Sequence, residues 1–166
     1  MKITKKLFGS KGIDLDANGE VVSNGHWLIS LKEVDNAAIF TSAKVARQAL
    51  NLKDTTTDHE INEKMLDDMR KPPEDAKEFK RTDLVYTGEW DTDLAVYKSE
   101  DGLFLYIKRL YADAFKLDTV LAKDMHSTCF APDRWFVVMP TRVHKDMTAC
   151  PCCDHETVTE AEEEAV

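Results

Sequence analysis

From Asp83 onward, short runs rich in β-branched and aromatic residues alternate with turn signals, and this alternation constrains the fold more than any other feature. Leu84-Val85-Tyr86 and Leu94-Ala95-Val96-Tyr97 flank Glu89-Trp90-Asp91, Glu100-Asp101-Gly102 closes a turn, and 103–106 begins another run. Thr119-Val120-Leu121-Ala122, Thr128-Cys129-Phe130 and Trp135-Phe136-Val137-Val138-Met139 follow, and Pro140, with no amide to give a ladder, ends the last. Upstream, Asn18-Gly19 and Asn24-Gly25 are turn signals around Val21-Val22 and the run His26-Trp27-Leu28-Ile29-Ser30-Leu31. So many short strands joined by turns predict a sheet that is largely antiparallel.

Helical spacing is confined to three stretches. Thr41 or Ser42 can cap a helix over 43–52 with Val45, Ala46, Ala49 and Leu50 on its apolar face. A second helix, capped by Asp58, carries Ile61, Met65, Leu66 and Met69 before Pro72-Pro73 stops it. A third presents Ile107, Leu110, Tyr111, Ala114 and Phe115, with Lys108, Arg109, Ala112 and Lys116 on its other side. Strand, helix and further strands occur in that order twice, over 27–97 and 103–143. The expected fold is α+β, an antiparallel sheet with helices on one face, built from duplicated β-α-β-β units. Residues 1–19 are expected to form an arm or a first strand, and 20–145 a single domain with a helical insertion at 55–80. Residues 146–166 are expected to be an acidic tail that contains cysteines.

The length of 166 residues suits one domain, and 43% hydrophobic residues suffice for a core. The net charge of −9 is concentrated at the end, because 150–166 hold six acids and no Lys or Arg, which leaves −3 for the rest. Such a block usually solvates a tail rather than mimicking nucleic acid. The start, MKITKKLFGSKG, is basic without the apolar stretch of a secretory signal, and no run is long enough to span a membrane. Three of four cysteines crowd near the end, unlike a secreted disulfide framework. A cytoplasmic setting is expected, that of the host cell if the protein is phage-encoded.

The stretch Phe104-Leu105-Tyr106-Ile107-Lys108-Arg109-Leu110-Tyr111-Ala112-Asp113-Ala114-Phe115, followed by Trp135-Phe136-Val137-Val138-Met139-Pro140-Thr141-Arg142-Val143, resembles the C-terminal part of the bacterial DNA polymerase sliding clamp. A Gly-His-Trp strand near the start of a short acidic chain is similar to uncharacterised proteins of tailed phages. The clamp resemblance implies paired strand-helix-strand units whose helices present basic residues to DNA. Lys44, Arg47, Lys108, Arg109 and Lys116 correspond to such faces, although outward Lys and Arg are also the ordinary covering of a solvated helix. Clamp subunits contain three such domains and close into rings, whereas this chain has room for one. A lone copy suits a protein partner, met at a sheet edge or in a groove, with a homo-oligomer and nucleic acid left open and no membrane expected.

Cys150, Cys152, Cys153 and His155 form a C-x-C-C-x-H string whose thiolates and imidazole are chemically suited to zinc. The spacing departs from paired C-x₂-C knuckles, so free thiols, a C-x-x-C redox pair and a site completed by Cys129, His126 or His144 remain alternatives. No phosphate-cradling glycine loop, H-E-x-x-H or G-x-S-x-G occurs. His126 and Cys129 are three apart, which on a helix would place a base beside a thiol, although the setting is β-rich. The expected function is therefore a non-enzymatic interaction module with a clamp-like domain, acting on phage replication or host defence and needing no cofactor. The alternatives are a zinc-stabilised regulatory module and a cysteine-dependent enzyme. Trp90, if exposed, would favour a protein partner.

Overall fold

A computed structural model of the protein describes residues 1–53, 57–88, 91–143, 151 and 158–160. The architecture is α+β, with many short strands and three short helices among the described residues. It divides into two compact units where a single domain is expected from the sequence. The first comprises Met1–Lys71 and Asp133–Val138, and the second comprises Pro72–Pro132 and Met139–Val166. No helix among the described residues is long and apolar enough to cross a membrane.

In the first unit, strands β1 (Asp14–Asp16), β2 (Val21–Ser23) and β3 (Trp27–Ser30) form an antiparallel meander. β10 (Phe136–Val138), arriving from much later in the chain, pairs antiparallel with β3. β4 (Glu60–Ile61) lies parallel to β1, so the sheet is mixed rather than purely antiparallel. The first residues are part of this body, not an arm. Ile3, Leu7, Phe8 and Ile13 are buried, and Phe8 packs its ring 5.4 Å from Trp27 and 6.3 Å from Phe40. The Trp27 indole N–H donates to the Leu7 carbonyl at 3.1 Å, which gives the buried indole its polar partner.

The helix α1 (Ala43–Leu50) begins where expected, with Ser42 Oγ accepting from the Val45 amide at 3.2 Å, and ends at Asn51 in the left-handed conformation. Its inner face differs from the expectation. Ala46 and Arg47 are buried, while Val45 is 44% exposed. An ion pair, described below, draws the arginine inward. The second helix is also shifted. α2 (Glu63–Asp68) is capped by Asn62, not Asp58, and buries Leu66 while Met65 stays exposed.

The second unit is built on β5 (Lys77–Thr87), β6 (Asp93–Ser99) and β7 (Phe104–Lys108), an antiparallel meander. β7 runs directly into α3 (Arg109–Ala114), and the chain returns as β8 (Thr119–Ala122) against the first part of β5, with β9 (Cys129–Phe130) beyond it. α3 is shorter than its pattern predicts, and Ala112 rather than Leu110 faces inward. A bulge between Arg81 and Val85 interrupts β5, and Thr82 Oγ1 fills the gap by donating to the Val96 carbonyl and accepting from the Leu84 amide. Past the bulge, β11 (Val158–Glu160) pairs antiparallel with β5, so part of the segment expected as a solvated tail joins a sheet. Leu94, Val96 and Tyr106 form a buried cluster with Leu84, Tyr86, Phe104 and Val143 packed against it.

Strand-helix-strand order occurs at β3-α1-β4 and at β7-α3-β8. The two compact units do not coincide with the two sequence copies, because the second unit holds β5 and β6 from the first copy and the first unit holds β10 from the second.

Candidate functional site

An open groove of about 930 Å³ lies in the first unit, between the β1–β2 turn, β4 and the amino end of α1. Its apolar lining comes from Ile13, Leu15, Leu31 and Phe40, and its polar lining includes Asp16, Ser42, Asp58 and Glu60. The turn residues explain one wall. Asp16 closes β1 and its Oδ1 accepts from the Glu20 and Val21 amides, 2.9 Å each. Gly19, at φ +67°, makes the left-handed step that brings those amides back, a conformation that costs a residue with a Cβ. Asp16 is 7% exposed, and its second oxygen, Oδ2, has no hydrogen-bond partner among the described residues. A buried carboxylate with half its acceptor capacity unmet is an unusual thing to keep in a fold. It makes this wall a place of concentrated negative potential, reinforced by the exposed Glu60.

Asp58, which also lines the groove, is paired with Arg47 behind it. Arg47 Nε donates to Asp58 Oδ2 at 2.9 Å, Nη2 donates to Asp58 Oδ1, and Nη1 donates to the Lys53 carbonyl at 2.8 Å. Asp58 Oδ1 also accepts from the Ile13 amide at 2.7 Å. Burial pushes the Asp58 carboxyl up, but the Arg47 hydrogen bond, the Ile13 amide and the Arg47 and His59 charges outweigh it and hold the group below the usual carboxylate range. Gly12 permits this closeness, since a Cβ there would lie 2.4 Å from the Thr57 carbonyl oxygen. Asp58 is thus a satisfied structural anion, whereas Asp16 and Glu60 carry charge that no described cation neutralises. The groove can accept a cationic group together with an apolar body.

The residues singled out from the sequence fare differently. Arg47 is committed to Asp58 and leaves only Lys44 exposed on α1. Lys108 ends β7 with its ammonium 5.3 Å from the Tyr111 ring centroid. Arg109 lies 3.7 Å from Asp93 and 3.5 Å from Asp113, and Lys116 is exposed just past α3 at φ +50°. The five basic residues are divided between the two units. Cys150, Cys152, Cys153 and His155 lie outside the described residues, as do His144 and Trp90. Among the described residues no group of three or more His, Cys, Asp or Glu side chains could hold a metal ion.

Cys129 is fully buried, burial pushes its thiol up to about 12, and its Sγ faces the Ser127 carbonyl at 3.9 Å. The pocket-mouth pairing of Cys129 with His126 that a cysteine-dependent enzyme needs is not made. What the sequence reading missed is Asp16. Its Asp-x-x-Gly-Glu setting signals an Asx-type turn, but burial of the second oxygen has no sequence signature.

No known protein family, curated protein or solved structure matches this chain.

Proposed function

We propose that the protein is a non-enzymatic interaction module that holds a basic, partly apolar segment of a partner protein in the groove of its first unit. The observation that carries the reading is the pairing of the buried Asp16 carboxylate with the exposed Glu60 beside an open groove with an apolar lining, neither of them in an ion pair among the described residues. A lysine or arginine side chain brings both parts needed, an apolar stem for Leu15, Leu31 and Phe40 and a cation for the Asp16 and Glu60 side. The Ala43 and Lys44 amides, which open α1 ahead of the capped Val45 amide, can donate to the carbonyl oxygens of a peptide main chain. A role in phage replication or host defence rests on the likeness of the Gly-His-Trp strand to tailed-phage proteins and of 104–115 and 135–143 to sliding clamps.

Calorimetric titration with peptides alternating leucine and lysine, against the same peptides carrying glutamate for lysine, tests it. The lysine peptides bind, salt weakens them, and Asp16→Asn with Glu60→Gln loosens them about tenfold, or about 1.4 kcal/mol. Asparagine keeps an oxygen for the Glu20 and Val21 amides, so the turn is retained. Equal binding of both peptide sets, or no change in the folded double variant, overturns the reading.

A further inference from the structure

Charge along this acidic chain is segregated. Residues 1–53 contain eight Lys or Arg and five Asp or Glu, a net of +3, so the remaining residues carry −12. Arg70, Lys77, Arg81, Arg109, Lys123 and Arg134 each have a carboxylate within 4.0 Å. In residues 1–53 the amino terminus pairs with Asp35 and Arg47 with Asp58, whereas Lys5, Lys11 and Lys53 have no carboxylate within 4.0 Å among the described residues.

These three unpaired lysines line a single cavity of about 260 Å³ in the first unit, with Gly9, Ser10 and Leu52. Arg47 also lines it, its charge already met by Asp58. No carboxylate is among the described lining residues. Three lysines lining one small cavity gather like charge in one place, which an anion, or solvent and salt, offsets. Gly9 stands at φ +56° with open space where a Cβ would be, so the backbone edge of the cavity is unobstructed, and the Ser10 hydroxyl can donate beside the lysines.

We infer that the cavity lined by Lys5, Lys11 and Lys53 is a binding site for a phosphate group. Its volume of about 260 Å³ admits a phosphoryl group with room to spare, and lysine serves such groups as a flexible point charge with three donors. The site is separate from the peptide groove, shares no lining residue with it, and stands or falls independently of it.

The test titrates the full-length protein with orthophosphate, pyrophosphate and a fluorescent oligo-deoxythymidine at low salt. It compares K5Q/K11Q/K53Q with K64Q/K71Q/K80Q, which removes equal charge from surface lysines elsewhere. Saturable binding of at least one probe is expected, weakened tenfold or more in the first variant and nearly unchanged in the second. Binding of the small anions alone identifies a free phosphate ligand. Binding of the oligonucleotide alone, with a log–log salt slope near −0.7 per phosphate held, identifies a nucleic-acid backbone. No saturable binding of any probe, or equal loss in both folded variants, overturns the inference.

Discussion

Arg47 illustrates what a residue's type and spacing can and cannot say. Helical periodicity assigns it to the outer face with Lys44, yet it is 5% exposed, because Asp58 and the Lys53 carbonyl satisfy its guanidinium from outside the helix. No local pattern announces a partner eleven residues away across a loop. Removing that arginine leaves Asp58 partly buried and uncompensated. Arg47→Met should cost about 2–3 kcal/mol in urea unfolding, below the usual range for fully buried pairs because Asp58 keeps some solvent contact. A loss under about 0.5 kcal/mol would show the pair to be ornamental. Cys129 gives a second residue-scale expectation. Its thiol is raised from an ordinary 9.0 to about 12, so below pH 9 it is protonated whether folded or unfolded and has no effect on pH dependence. Between those values the unfolded chain releases a proton that the folded one keeps. Stability should therefore fall by about 1.4 kcal/mol per pH unit on this account. Burial raises Tyr97 as well, adding the same sign at higher pH. Urea unfolding at about pH 8 and about pH 10 should show the loss, and Cys129→Ala should flatten it by one proton's worth. An unchanged slope in that variant would contradict the burial argument.

Among the elements, those with unambiguous local chemistry are the ones the sequence reveals. α1 has a hydroxyl cap, and it begins at Ala43 as the capping pattern predicts. Ser42→Ala should cost about 1 kcal/mol, measured by thermal or urea unfolding, while Ser42→Asp should restore most of it, since a carboxylate caps as well. Equal losses in both variants would mean that Ser42 matters for something other than the Val45 amide. α2 is less legible because Asp58 and Asn62 are both good caps. The tertiary demand for Asp58 at Arg47 and Ile13 leaves Asn62 to start the helix. β10 reads clearly as a strand, but its neighbour β3 lies over a hundred residues earlier, and pairing at that separation is set by packing rather than by turns.

At the scale of the whole molecule, the α+β class and the strand-rich texture are legible, whereas the division into two units is not. The chain leaves the first unit after Lys71 and returns to it for Asp133–Val138, where Phe136 is buried at 1% exposure. A fragment ending at Lys71 lacks that strand and leaves the β3 edge unpaired, so it should show no cooperative unfolding by circular dichroism, whereas one extending through Val138 should. A cooperative 1–71 fragment would mean that β10 is dispensable. The charge pattern belongs to this scale as well. The acids outnumber the bases overall, yet the first unit combines an acidic groove with a lysine-lined cavity, an arrangement suited to holding two unlike ligands. The account depends most on the groove, and amide-resolved NMR of the ¹⁵N-labelled protein titrated with a leucine–lysine peptide tests it most directly. The shifts should concentrate at Asp16, Glu20, Val21, Ala43 and Glu60 and vanish with Asp16→Asn and Glu60→Gln combined. Shifts confined to other residues, or undiminished in that variant, would contradict the assignment of this groove as the partner site.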